Sequence, residues 1–432
     1  MYIFHNGKPT AITTNSPKNG PSNGISMAEA QEIKVKREEQ ETERENNLAY
    51  LRGLVAKSRN LNLEDLLGEL PLASCPRVWI VGGGPSLLGF DFSLLDGEVV
   101  FAVNRSFESV PNPSCVVTMD SRFIDWADNG HLGNAAHEKW LNLKCPKVCV
   151  FLKNSPGTYD ESHPVYVVER DENGHPSQGR PSMVKLHDCN SSGLAALQLA
   201  WAMGAKDIRL LGFDMGTEAS PDHEKDISQR DRRPRQAWHH AGYPKVQSSD
   251  VYGKMAPMFE PFAEAMAKED VKVTLYGTST LECFEKKPIE DAVEALGTKP
   301  TRPIVVGYYT EGTAYKDEAL EMEKTATFFG LKTDVRPICN YGSWQLNTYA
   351  KAEFLRNMLN ELDEPILYLD ADARVRRYPR FFDDFGKSFG YCTFEWSKVK
   401  GSKRKDNETS SAVLYLAPAV IVKQLLSTWA DA

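Results

Sequence analysis

Short, largely apolar runs recur along this chain with helix-forming stretches between them. They include VWIVGGG (78–84), EVVFAVN (98–104), SCVVTMD (114–120), KVCVFL (147–152) and VYVVE (165–169). A strand apolar on both faces must be covered on both faces, which is how parallel sheets with helical crossovers are built. SSGLAALQLAWAMGA (191–205) reads as the strongest helix, with a serine start and small residues for close packing, and it feeds the strand DIRLLGFDM (207–215). MAPMFEPFAEAMAKE and VKVTLYGTS supply one more helix and strand, closing this block near residue 290.

A second alternation follows the Thr-Lys-Pro-Thr-Arg-Pro segment at 298–303. RPIVVGYYT, KTDVRPI and PILYLDADARV read as strands, YKDEALEMEKTATFFGL and SWQLNTYAKAEFLRNMLNEL as helices. Residues 389–396 and 412–417 add strands, and PAVIVKQLLSTWADA is a last helix. The expected fold is α/β, with two Rossmann-like doubly wound domains at 76–292 and 302–432. Ahead of them stand a disordered tail at 1–26 and a helical arm at 27–72. The tail is rich in Asn, Gly, Pro, Ser and Thr. In the arm Leu48, Leu51, Leu54 and Val55 recur at helical spacing, so this end packs either on the first domain or on a second copy of the chain.

Composition narrows the function. Of 432 residues, 41% are hydrophobic and 25% charged, so a packed core is expected. A formal charge of −8 argues against a protein that coats nucleic acid or an anionic membrane. No stretch reaches the roughly 18 apolar residues of a membrane span, and the N-terminus lacks a secretory apolar core. Eight scattered cysteines without a CxxC read as reduced thiols, so the expected location is the cytoplasm.

The first chemical motif is the turn after 78–81. Gly82, Gly83 and Gly84 follow a buried strand, and Pro85 and Ser86 open what reads as a helix start. Glycines allow close backbone approach, and exposed N–H groups at such a turn attract phosphate. IVGGGPSL, FAVNRSF, TMD and NSSGLAALQLAWAMGAKDIRLLGFDM together resemble the MptE-like domain related to 6-hydroxymethylpterin pyrophosphokinase and to bacterial sialyltransferases. The matching residues are Gly82, Gly84, Pro85, Ser86, Asn104, Ser192, Gly193, Gly212 and Asp214. The resemblance implies a nucleotide pocket in which Asn104 and Ser192 bond the phosphate or base and Asp214 the sugar. After GFDM comes a loop with Asp222, His223, Arg230, Arg232, Arg233, Arg235, Trp238, His239 and His240. Its arginines suit phosphate, and His239 or His240 is the candidate general base.

The second motif is PILYLDADARV. Asp370 and Asp372, two residues apart at a strand end, are expected to point to the same side. Converging carboxylates suit Mn²⁺ or Mg²⁺ that keeps positions for diphosphate oxygens. The region resembles GT-A nucleotide-sugar glycosyltransferases. That resemblance places Tyr308, Tyr309 and Thr310 near the base and Lys351 on the sugar nucleotide. GT-A domains usually continue past the point corresponding to Ala432, so the resemblance implies a minimal or truncated domain.

The expected function is glycosyl transfer from a nucleotide sugar to a hydroxyl acceptor, either a glycan or, for a phage protein acting in host cytoplasm, a hydroxymethylated DNA base. Two alternatives stand beside it. One is diphosphate transfer from ATP to a hydroxymethyl group at the first domain, and the other is a non-catalytic nucleotide-binding or structural module.

Overall fold

The computed structural model describes residues 2–5, 8–11, 63–152, 165–215, 251–297, 302–395 and 407–431. The chain divides into one unit at Met1–Gly53 and a second at Leu54–Ala432. In the first, β1 (Tyr2–His5) and β2 (Lys8–Ala11) pair as an antiparallel hairpin, inside the segment expected to be a disordered tail. The rest of that tail, and the arm's Leu48, Leu51, Leu54 and Val55, lie outside the described residues.

The second unit is mixed α/β and holds two sheets. The larger contains β3 (Val78–Val81), β4 (Val100–Val103), β5 (Cys115–Thr118), β6 (Lys147–Leu152), β7 (Val165–Asp171), β8 (Lys185–His187), β9 (Asp207–Leu211), β10 (Lys272–Tyr276) and β11 (Glu285–Lys287). All pairings are parallel, in the order β11-β10-β9-β3-β4-β5-β6-β7-β8. The chain therefore winds from β3 out to one edge, crosses back to β9 and continues to the other edge. Beyond the carboxyl ends of β3 and β9 lies the topological switch point, where doubly wound folds open a crevice. β8 and β11 escape detection by pattern, since each is three residues long and β11 is the wholly charged edge strand Glu-Lys-Lys.

The helix Ser192–Ala202 covers one face of this sheet. Ser191 caps it by accepting from the Leu194 N–H at 3.2 Å, and every residue from Leu194 to Ala202 is buried. Buried Gln198 exchanges hydrogen bonds with the His187 backbone, holding β8 in place. The expected helix at Pro85 is instead a three-residue 3₁₀ turn, Pro85–Leu87, followed by another at Phe92–Leu95. Gly89, at φ +81, follows the first turn, Asp91 caps the start of the second by accepting from the Ser93 N–H at 3.0 Å, and Gly97, at φ +78, follows its end.

The smaller sheet contains β12 (Ile304–Thr310), β13 (Thr333–Ile338), β14 (Ile366–Leu369), β15 (Phe389–Glu395) and β16 (Asn407–Leu416), in the order β13-β12-β14-β16-β15. β12 is parallel to β13 and β14, whereas β16 runs antiparallel to both β14 and β15. The Pro-rich segment near 300 separates the sheets in sequence, yet packing joins them. Phe328 and Phe329, at the end of helix Tyr315–Phe328, and Tyr378 belong to the same hydrophobic core as β3, β4 and helix Ser192–Ala202. The Phe101 and Phe328 rings lie 5.9 Å apart, and Lys144 pairs with buried Glu323 at 2.7 Å across the seam.

A shared core predicts shared stability. Phe328→Ala should cost about 3–5 kcal/mol, the usual range for a fully buried phenylalanine. Urea unfolding followed by probes in each sheet should show one transition shifted to lower denaturant. Two transitions, with only the smaller sheet affected, would show that the sheets fold independently.

Candidate functional site

A cavity of about 640 Å³ opens at the switch point. Gly82, Gly83, Gly84, Pro85, Asn104, Ser192, Gly193, Gly212 and Asp214 all line it, so the fold brings together residues far apart in sequence. Ser86 stands just behind, tied to Asp214. Apolar walls come from Met119, Phe123, Trp126, Phe213 and Met255, and Arg122 and Arg170 bring positive charge. His239 and His240 lie outside the described residues, as does the rest of the loop from 216 to 250.

The glycine turn serves mainly to bring two strand ends together. The Gly82 N–H donates to Leu211 O at 2.7 Å and the Gly84 N–H to Gly212 O at 2.9 Å. Two of the three amides expected to face phosphate are thus engaged inside the fold. A Cβ on Gly82 would sit 2.5 Å from Gly212 O, and one on Gly84 only 2.0 Å from Asp214 Oδ1. Side chains are excluded here by neighbouring backbone and carboxylate. Asp214 is buried; it accepts from the Ser86 N–H at 2.8 Å and from Ser86 Oγ at 2.6 Å. Its contacts with Ser86 make it a clamp on the turn, a role the sequence did not reveal.

Asn104 carries an unsatisfied acceptor. It closes β4 in the left-handed region at φ +50, and its buried Oδ1 has no hydrogen-bond partner among the described residues. A buried acceptor without a donor costs about 1–3 kcal/mol, and strained backbone of this kind gathers at functional sites. Nearby, Ser106 Oγ donates to Gly82 O at 2.8 Å, locking the β4 turn to the glycine turn. Ser192 Oγ accepts from the Met119 N–H at 3.0 Å, which leaves its own proton to donate. On the rim Arg122 and Asp120 form an exposed pair. Arg170 donates to Cys189 O at 2.7 Å, yet its buried Nε has no hydrogen bond.

The second group of expected residues gathers at the end of β14. Lys351 sits on helix Trp344–Leu362 and is 5% exposed; its Nζ donates to Asp370 Oδ1 at 2.9 Å and to Ser411 O and Oγ at 3.2 Å. The Tyr368 hydroxyl donates to the same Oδ1 at 2.8 Å. Tyr308 lies one ring further, 6.0 Å from Tyr368, and its hydroxyl donates to Asn347 O. Burial pushes the Tyr308 phenol up to about 12 and Tyr368 well above its ordinary range, so both stay protonated donors. Thr310 is buried at the end of β12, where its carbonyl accepts from the Thr313 hydroxyl at 2.7 Å.

The strand ends at Leu369, before the aspartates. The Ala373 N–H donates to Asp370 O at 2.9 Å, so Asp370–Ala373 form a turn and the period-two argument does not reach them. Asp372 is exposed on that turn. Both contacts of the Asp370 carboxylate fall on Oδ1, leaving Oδ2 and Asp372 as hard oxygen donors suited to a divalent ion. Among the described residues no group of three His, Cys, Asp or Glu surrounds an ion. Any such ion would complete its shell with oxygens from water or substrate.

No family model and no curated protein matches this sequence. Among solved structures, a glycosyltransferase involved in the glycosylation of the major capsid of PBCV-1 matches at 13% identity and a TM-score of 0.23. That match covers 29% of this chain and 65% of the other, a likeness too slight to bear on fold or activity. No helix among the described residues is long and apolar enough to cross a membrane.

The packing at Gly84 yields a direct test. Gly84→Ala drives a methyl into the Asp214 carboxylate and should destabilise by about 1–3 kcal/mol, as overpacking does. Gly386→Ala, whose methyl meets nothing within 4 Å, should stay within about 0.5 kcal/mol of wild type. Equal denaturation midpoints for the two variants would remove the close-approach account of the turn.

Proposed function

We propose that this chain is a glycosyltransferase that moves a sugar from a nucleotide-sugar donor to a hydroxyl acceptor, a glycan or a hydroxymethylated DNA base. The observation that carries the reading is the cluster at the end of β14, where buried Lys351 holds Asp370 beside exposed Asp372. An ammonium and two carboxylates at a strand's carboxyl end suit a diphosphate and its divalent ion. Mn²⁺ or Mg²⁺ would be held by Asp370 Oδ2 and Asp372, and would supply charge neutralisation for the departing nucleoside diphosphate.

In the transfer, the acceptor oxygen bonds to the sugar C1 while the C1–O bond to phosphate breaks, its electron pair leaving with the diphosphate. Lys351 steadies Asp370 through Oδ1, so the remaining oxygen meets the donor in one orientation. The acceptor proton passes to a general base. His239 and His240 are the proposed bases for chemistry at the first cavity.

We assign the first cavity to a nucleotide, with Asn104, Ser192 and the Gly83 amide as polar contacts and Trp126 and Phe213 as apolar walls. Support comes from its place at the switch point and from the unsatisfied Asn104 amide, which a ligand donor would complete. Diphosphate transfer to a hydroxymethyl group would use this same cavity.

Metal and donor should be coupled at Asp372. In calorimetry, Mn²⁺ should tighten UDP- or GDP-sugar binding to wild type at least tenfold, and Asp372→Asn should abolish that gain while leaving stability within about 0.5 kcal/mol. Donor affinity indifferent to Mn²⁺ and to the substitution would overturn the assignment. At the other cavity Asn104→Gly removes both strain and the unsatisfied oxygen. It should raise the stability of the unliganded protein by about 1 kcal/mol while reducing the thermal shift given by nucleotides. Lower stability with unchanged nucleotide response would make Asn104 a structural residue.

A further inference from the structure

A second cavity, of about 370 Å³, lies on the seam between the two sheets. Its walls come from the larger sheet's side through Asp96, Asn112, Lys139 and Lys144, and from the smaller sheet's side through Thr327, Gly330, Lys332 and Thr333. None of these residues belongs to either centre described above. Three lysines face one carboxylate, and that carboxylate is already engaged. Asp96 accepts from Asn112 Nδ2 at 2.8 Å and pairs with Lys332 at 3.5 Å. Lys144 is matched by Glu323 at 2.7 Å.

Lys139 has no such match. Its Nζ donates to two main-chain carbonyls, Glu108 O at 2.9 Å and Val110 O at 2.8 Å, and no carboxylate pairs with it among the described residues. Those two bonds fix the ammonium in place and leave one of its three protons for another acceptor. Burial pulls the Lys139 pKa below the ordinary lysine value, with Glu108 drawing it part of the way back. A cation held in this state gains from any anion that enters beside it.

We propose that this seam cavity binds a compact phosphate-bearing anion, inorganic phosphate or a small phosphate ester, through Lys139 and Lys332. The volume sits at the low end of the range of about 300–1,000 Å³ for small-molecule sites, which fits a phosphate or sugar phosphate better than a whole nucleotide sugar. The walls are held rigidly. Gly330, at φ +74, packs so closely that a Cβ there would stand 2.7 Å from the Gly97 and Glu98 carbonyls. The anion would touch elements of both sheets, so binding should stabilise their junction.

The test titrates inorganic phosphate, and in a second arm glucose 6-phosphate, into the full chain by calorimetry at constant ionic strength set with chloride. Saturable binding is expected, with affinity reduced at least tenfold in Lys139→Met and in Lys332→Gln and unchanged in Asn104→Gly. Lys332 is exposed, so its variant should fold even if Lys139→Met does not. Tighter binding of the ester than of phosphate would identify the ester as the ligand, and the reverse would identify phosphate. Either non-saturable heats in wild type, or phosphate binding that survives Lys332→Gln and is lost in Asn104→Gly, would overturn the proposal. The second result would place the anion in the cavity at the switch point instead.

Discussion

Everything at the switch point depends on how closely the ends of β3 and β9 approach. Gly82 and Gly84 donate to Leu211 and Gly212, and a methyl on either glycine would strike oxygen well inside van der Waals contact. Because the approach is so tight, Asp214 reaches Ser86 and closes the turn, and Ser106 reaches Gly82 from the neighbouring strand. The cavity is the space left when these turns lock. Glycine here makes room for neighbouring backbone.

The second constraint is the common core. Tyr378 follows the aspartate turn by a few residues and is buried with the larger sheet's core, where Arg302 donates to its hydroxyl and lies over its ring. The Val375 N–H donates to Thr325, and Arg376 reaches the Asp65 carbonyl. The segment leaving Asp372 is therefore held by elements from both sheets. The geometry of the Asp370 cluster thus depends on residues distant in sequence.

Electrostatics separates the two centres. At the end of β14 a buried ammonium and a carboxylate share a 2.9 Å contact, and two phenols held protonated by burial stand beside them. Without Asp370 the buried Lys351 ammonium would be left as an uncompensated charge. At the switch point the Arg122–Asp120 pair lies on the rim, the buried Asp214 carboxylate is held by the Ser86 N–H and hydroxyl, and the Asn104 Oδ1 is unsatisfied. One centre is organised by charge and the other by shape and hydrogen bonding.

The sequence alone determined the layered α/β architecture, because strands apolar on both faces and separated by helices have few other ways to be buried. It also picked out the glycine turn, since a glycine run after an apolar strand is a local feature, whereas Asn104, Ser192 and Asp214 entered through resemblance alone. What it could not supply was partnership. That Gly82 and Gly84 face Gly212, that Asp214 is bound to Ser86, and that Lys351 neutralises Asp370 depends on contacts across more than a hundred residues in the first two cases and nineteen in the last. The turn at Asp370–Ala373 likewise overrode strand periodicity, because the strand ends one residue before the motif begins. The seam between the sheets was invisible for the same reason: nothing local to Phe328 or Tyr378 shows that the larger sheet's core packs against them. Local patterning selects elements, and only tertiary packing decides which functional groups they bring together.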